Sequence, residues 1–406
     1  MRPLLLVPFT LALTGAGPAS LRPDVARPST AGGGDSLIAE IPFVLSGDHV
    51  MLQAAVNGHA GWLALDTGSS TSSLDAEWAD TAAHVRVVAT GTQVNGSATV
   101  RGSIGEADSI RIGGVELGRT RVALIPLGAV ERARGSHLHG TIGYDFLRRY
   151  VVEIDYAAQR LRLYDPERWS YHGTGVAVPV STQLRIPVVQ ATITPAGGQP
   201  IPARLVLDLG SANFAVRLVA PFVAAHGLAS LDGIDAPIGT GVGGMVVGRV
   251  ARLQSAALGS LRIEAPTAGL ALRPEGFFGT TVVDGTLGAP VFRRTTMFVD
   301  YPHDRVIFEA GPGFGDPFEA DMSGMSLVGG ADGRVTVSYV VAGSPAAQAG
   351  IATGDELVAV DGAPARPAEF DALRASFRAT PGAVRRLVVR RGGETREVSI
   401  TLRRLV

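Results

Sequence analysis

One stretch constrains this chain more than any other, because it occurs twice. Residues Leu63 to Ser70 read Leu-Ala-Leu-Asp-Thr-Gly-Ser-Ser, and Leu205 to Asn213 read Leu-Val-Leu-Asp-Leu-Gly-Ser-Ala-Asn. In each copy an apolar run of strand length ends on an aspartate, a glycine and small hydroxyls. A carboxylate at the tip of a buried strand is costly unless donors hold it. After Asp66 those donors are Thr67, the Gly68 N–H, Ser69 and Ser70. Asp66 and Asp208 stand 142 positions apart (208 minus 66), roughly the length of one domain.

The repeat extends well beyond these motifs. Met51-Leu-Gln-Ala-Ala-Val precedes Asp66, with Ile112-Gly113 and Gly140-Thr-Ile-Gly143 following it. Val188-Val-Gln-Ala-Thr-Ile precedes Asp208, with Leu258-Gly259 and Gly285-Thr-Leu-Gly288 after it. From Gly143 and Gly288 onward the copies run without a gap: Arg148-Arg149 matches Arg293-Arg294, and Asp155-Tyr156 matches Asp300-Tyr301. Short Val/Ile/Leu runs broken by Gly, Asn and Asp give a mainly β reading with few helical periods. Two β-barrel lobes are expected, at 36–168 and 169–311, each bringing one aspartate to a shared cleft. A monomer with an internal pseudo-dimer satisfies that arrangement. Strand-end capping in an all-β scaffold is the bland alternative for the two aspartates.

Composition removes several chemistries. All 36 basic residues are arginine, so a Walker A loop, a Schiff-base lysine and a Ser-Lys dyad are excluded. No cysteine is present, which excludes thiol nucleophiles, disulfides and Cys-zinc sites. A net charge of −1 provides no general field for nucleic acid. His137 and His139 flank a leucine in a polar loop without a third ligand at suitable spacing, so no metal and no cofactor is expected. Gly239-Thr-Gly-Val-Gly-Gly244 satisfies Gly-x-Gly-x-x-Gly, but Met245-Val-Val-Gly-Arg-Val continues as a strand where a dinucleotide site needs a helix.

The first 19 residues carry one positive charge, a short apolar run and then small residues, a signal-peptide pattern. A Pro/Gly-rich linker follows over 20–35. Export to the periplasm or the outside of a bacterial cell is therefore expected, with no stable membrane span in the mature chain. The composition changes again after Gly311-Pro-Gly-Phe-Gly-Asp-Pro317. Residues 320–406 contain Ser344-Pro-Ala-Ala-Gln-Ala-Gly350 and Gly354-Asp-Glu-Leu-Val-Ala-Val-Asp-Gly362, with a strand expected at 334–341, a helix near 368–379 and two final strands. This tail resembles a bacterial-type PDZ domain. The resemblance implies an extended peptide or protein C-terminus as partner, held at a carboxylate-binding loop near Ser323, Gly324 and Met325.

Asp-Thr-Gly-Ser at a strand end, followed some 75 residues on by a small-hydrophobic-Gly segment, resembles the aspartic proteases, with lobes the size of retroviral-type units. In that family each lobe gives one aspartate, so Asp66 and Asp208 are the implied catalytic pair. Held close together they share one proton, and the sequence does not assign acid and base between them. Gly68 and Gly210 are expected to allow tight turns and offer N–H groups, with Ser69 and Ser211 bonding the outer carboxylate oxygens. Thr67 matches the family threonine that reaches the opposite lobe's backbone, whereas Leu209 replaces it in the second copy and removes one of two symmetric bonds. The segments 91–97 and 239–244, including Gly96, Gly243 and Gly244, fall where the family carries flap hairpins over substrate. An endopeptidase with an acidic pH optimum is the implied activity. A pseudo-protease that grips peptide without hydrolysis is the alternative.

Overall fold

A computed structural model describes residues 36–406 apart from 96, 97 and 242, with the backbone alone of 92–95 and 98–101. The expected signal segment 1–19 and linker 20–35 lie outside the described residues. The protein is mainly β, as its patterning predicts.

Local sequence sets the first hairpin. His49–Val56 pairs antiparallel with His59–Leu65 across Asn57-Gly58, and both turn residues have positive φ (49° and 86°). Asn-Gly is the pair that adopts this geometry at least cost. The strand His59–Leu65 then runs parallel to Gly140–Ile142, with Leu63 opposite Gly140 and Leu65 opposite Ile142. In the second half Val188–Pro195 pairs antiparallel with Ile201–Asp208. That strand in turn runs parallel to Gly285–Gly288, with Leu205 opposite Gly285 and Leu207 opposite Leu287. Each aspartate thus sits at the end of a strand clamped on both edges, and the two halves use the same pairing. Ten strands form the first sheet and eight the second.

A third sheet of six strands joins the halves. Its middle pair is Val151–Asp155 against Thr295–Asp300, with Val152 opposite Val299, Glu153 opposite Phe298 and Ile154 opposite Met297. Residues at equal positions in the copies differ by 145 (288 less 143). Under that offset Val152 corresponds to Met297 and Ile154 to Val299, so the pairing maps onto itself about Glu153 and Phe298. An isologous interface has this symmetry. One apolar cluster runs through both halves, including Leu52, Leu63, Leu65, Leu205 and Leu207.

The C-terminal region has its own core around Val335, Val337, Leu357, Phe370, Leu387 and Val389. Its helix runs Phe370–Phe377 after a 3₁₀ turn at Pro367–Glu369, shorter than the patterning suggests. Its strand Met325–Gly329 is paired on one edge only, with Val335–Val340. The domain is seated against both halves. Gly47 N–H donates to Asp371 (2.7 Å), Arg374 to the Ala133 carbonyl (2.5 Å), Arg378 to Asn213 Oδ1 (3.2 Å) and Tyr339 to the Asp235 carbonyl (3.2 Å). Among the described residues no helix is long and apolar enough to cross a membrane.

The centre of the joining sheet carries a buried charge cluster. Arg162 Nη1 donates to Glu153 Oε1 at 2.6 Å, and their side chains are 2% and 0% exposed. Tyr164 donates to the other Glu153 oxygen, and Arg162 Nε donates to Glu40. Removing one member strands a buried charge, whereas replacing both does not. Glu153→Ala is expected to lower stability by about 3–5 kcal/mol, read from the denaturation midpoint, and the double change Glu153→Leu, Arg162→Leu to cost clearly less.

Candidate active site

The two strand ends face each other. Gly68 N–H donates to Asp66 Oδ1 and Gly210 N–H to Asp208 Oδ1, each at 2.9 Å. The carboxylates are themselves within hydrogen-bonding reach of one another. The glycines serve a purpose other than the expected turn flexibility, since neither has positive φ. A Cβ on Gly68 would lie 2.6 Å from Asp208 Oδ1, and one on Gly210 would lie 2.8 Å from Asp66 Oδ1. Each glycine is the surface against which the opposite aspartate rests, so close approach of the pair requires both.

Thr67 ties the halves together. Fully buried, it donates to the Leu207 carbonyl at 2.6 Å and accepts from Leu209 N–H at 2.9 Å. Each such bond contributes about 1 kcal/mol net. Leu209, 1% exposed, fills the mirror position with apolar volume and no hydroxyl. The serines depart from expectation. Ser69 Oγ donates to the Thr71 carbonyl (2.8 Å), while Ser211 Oγ shares a hydrogen bond with Thr286 (3.1 Å) and accepts from Arg217 Nε (2.8 Å). Neither hydroxyl holds a carboxylate: Ser69 is engaged within its own loop, and Ser211 by the neighbouring strands that carry Thr286 and Arg217.

Arg217 is the residue that sequence reasoning missed. It lies on the short strand Val216–Leu218, opposite Thr286, where the first half has Ser73 opposite Thr141. Its Nη2 is 4.0 Å from Asp208 Oδ2. Burial raises the Asp208 pKa, and the Arg217 charge pulls it back down. Burial and the Asp208 charge push Asp66 up to about 8. Arg217 beside Asp208 thus favours the charged form there, and the pair holds one proton between its two members. His49, pushed down to about 3 by burial and by Arg134, is neutral, with its ring nitrogens 3.3 Å from the Ser46 and Gly210 carbonyls. A neutral ring donates to one of these at a time. Tyr301, stacked on Tyr144 at 5.7 Å, is raised by burial and by the Asp66 charge.

The glycine-rich segments are hairpins. Arg86–Asn95 pairs antiparallel with Ala98–Ala107, and Gly233–Gly241 with Gly244–Leu258. Gly96 lies outside the described residues. Gly243 and Gly244 sit at the second tip, and it is Pro237, Gly239 and Thr240, on the ascending strand, that line a cavity of about 780 Å³ beside Gly210 and Arg217. The same cavity reaches Gly324 and Met325 in the C-terminal domain. There the expected carboxylate loop is already satisfied. Asp321 Oδ1 accepts from Ser323 N–H (2.9 Å), Ser323 Oγ (2.6 Å) and Gly324 N–H (2.8 Å), and Met325 N–H donates to Ser323 Oγ (3.1 Å). An internal carboxylate thus occupies the donors assigned to a ligand. Among the described residues no group of three His, Asp or Glu could hold a metal. His139 instead accepts from Trp62 N–H at 3.0 Å.

The Asp66 shift carries a consequence for stability. The folded pKa lies above the unfolded value, so stability is full at acid pH and falls as pH rises from the ordinary carboxylate range toward about 8. Asp66→Asn is expected to melt a few °C or more above wild type at pH 8 and level with it near pH 4, in thermal scans at fixed ionic strength.

Residues 52–146, which include Asp66 and Gly140–Gly143, match the aspartyl protease family, and residues 336–391 match the PDZ domain family. Asp208 lies outside both matched segments. No curated protein matches the chain. The chain contains an aspartyl protease domain in its first half and a PDZ domain near its C-terminus.

Proposed function

We propose that the protein is an exported aspartic endopeptidase acting as a monomer, with Asp66 and Asp208 as the catalytic pair of an internal pseudo-dimer and the PDZ domain binding an extended polypeptide. The observation that carries this reading is the crossed support of the dyad. Each carboxylate accepts from the glycine N–H of its own loop and rests against the glycine of the other. Two ends of unrelated strands have no structural need to be fitted together in this way.

In the mechanism that follows, a water lodged between the carboxylates gives its proton to ionised Asp208 and attacks the scissile carbonyl. Asp66 donates its proton to the developing oxyanion. Arg217 keeps Asp208 ionised, and Thr67 holds the loops in register across the cleft. The hairpin strand with Pro237, Gly239 and Thr240 borders the space next to Arg217 and would hold the extended chain. Collapse of the tetrahedral adduct expels the amine, which takes its proton from Asp208, while a hydroxyl of the adduct returns its proton to Asp66 as the product C=O forms.

A peptide-library cleavage assay over pH tests this directly. Asp66→Asn and Asp208→Asn are each expected to lower kcat by about 100-fold or more while still unfolding in one cooperative thermal transition at no lower temperature than wild type. Full activity in Asp208→Asn would instead mean that two first halves pair between chains. Peptide binding without cleavage in wild type would leave a pseudo-protease.

The dyad's pH limits follow from its charges. Activity requires Asp208 ionised and Asp66 protonated. The alkaline limb therefore follows Asp66 at about 8, which carries activity to neutral pH. Removing the Arg217 charge raises the Asp208 pKa, so in Arg217→Gln the acid limb of the kcat/KM profile is expected to move up by about 1 pH unit.

A further inference from the structure

We propose that the cavity between the dyad and the PDZ domain is a binding site for an acidic peptide segment, recognised by a track of arginines running from the PDZ helix to Asp208. This rests on the peptidase reading of the same cleft and names its substrate class. Arg374 in the helix Phe370–Phe377, Arg378 capping its C-terminus, Arg134 at the end of the helix Gly128–Arg134, and Arg217 beside Asp208 all line the cavity. Successive members feel one another's charge or share a neighbour. Arg378 acts on Arg374, Arg374 acts on Arg134, and both Arg134 and Arg217 act on His49.

The track has unused donors. Arg134 is only 8% exposed, its Nη2 meets the weak acceptor Met51 Sδ at 3.1 Å, and its buried Nε has no partner among the described residues. Arg378 Nε is likewise buried without a partner. Arg217 Nη2, at 4.0 Å from Asp208, stands beyond hydrogen-bond range. The acids of the same wall are already engaged. Asp48 pairs with Arg293 at 3.2 Å, Asp371 accepts from Gly47, Asp321 from the 323–324 loop, and Glu319 pairs with Arg404. The charges of Asp371 and Glu131 reach Arg134, and those of Asp371, Asp48 and Asp321 reach Arg374, but among the described residues none of these acids hydrogen-bonds either guanidinium. A buried guanidinium N–H without an acceptor is costly, and a carboxylate is the group whose geometry the guanidinium fork fits.

A terminal carboxylate and a side-chain carboxylate share this chemistry. The 323–325 loop, where a chain end would be read, is filled by Asp321, so the site is assigned to carboxylate side chains within a segment. The cavity extends from Gly210 to Val328, so one extended chain would touch both the dyad rim and the wall that the strand Met325–Gly329 forms with the helix Gly128–Arg134 packed against it.

The test uses the full chain carrying Asp66→Asn, to prevent turnover, and rhodamine-labelled, C-terminally amidated decapeptides in fluorescence anisotropy. One alternates Glu with apolar residues, one has Gln in place of Glu, and one has Lys. The Glu peptide is expected to bind at least about tenfold tighter than the Gln peptide, with the gap narrowing in 0.5 M salt. Adding Arg134→Gln or Arg378→Gln should each reduce that preference at least about threefold. The partly exposed Arg378 carries the test should the buried Arg134 variant fail to fold. Equal binding of Glu and Gln peptides, an unchanged preference in Arg378→Gln, or binding only with a free C-terminus would overturn the assignment. Cleavage by wild type is scored separately. A Gln peptide cut as well as the Glu peptide removes this inference and leaves the peptidase, whereas a Glu peptide bound selectively but never cut removes the peptidase and leaves this site.

Discussion

Two carboxylates half-buried face to face cannot readily both be charged, and much of this architecture holds them in that unfavourable position. Desolvation and mutual repulsion act to part them or expel them into water. Opposing this are the parallel pairings Leu63–Gly140 and Leu205–Gly285, which fix the strand that delivers each aspartate. Across the halves the six-stranded sheet, centred on Glu153 and Phe298, sets their separation. Thr67 then bonds the backbone on either side of Asp208, at Leu207 and Leu209. A fixed, shared proton is the electrostatic outcome of that rigidity.

The halves have the same topology but different charge environments. Leu209 removes a hydroxyl from one side, and Arg217 adds a cation to that same side. In a symmetric pair the proton has no preferred owner. Here the guanidinium lowers the cost of the ionised form of Asp208 and so biases the shared proton toward Asp66. Asymmetry that looks like decay of a motif in the sequence thus gives each carboxylate a distinct state.

Much of this was legible before any coordinates. The aspartates, the glycines that follow them, Thr67, the hairpin segments and the 145-residue offset are local patterns, and local patterns survive in a string of letters. Arg217 did not show itself, because the loop after Asp208 is two residues longer than the loop after Asp66. The Ser73 to Arg217 correspondence therefore escapes a fixed spacing and emerges only from the pairing with Thr141 and Thr286. The serine hydroxyls were misassigned for a related reason. Proximity in sequence suggested a carboxylate partner, but Thr71 and Thr286 are better placed. Nothing in the tail's motifs indicated that Asp321 would fill its own loop, since that depends on how the backbone enters the strand Met325–Gly329.

The seat of the PDZ domain binds these threads together. Its contacts with the other domains include hydrogen bonds at Asp371, Arg374, Arg378 and Tyr339, the helix Gly128–Arg134 packed on the strand Met325–Gly329, and an apolar cluster that holds Val341, Phe214 and Ile238. Interfaces of this kind are modest in strength. Yet Arg134, Arg217, Arg374 and Arg378 line one cavity that reaches Gly210, two residues from Asp208, and charges on a partly buried wall interact more strongly than at an open surface. A ligand carboxylate entering this space neutralises the track, and neutralising Arg217 weakens its hold on Asp208. Occupancy of the cavity and basicity of the dyad are therefore coupled through a single guanidinium, which makes the PDZ wall part of the electrostatics of the site as well as its boundary.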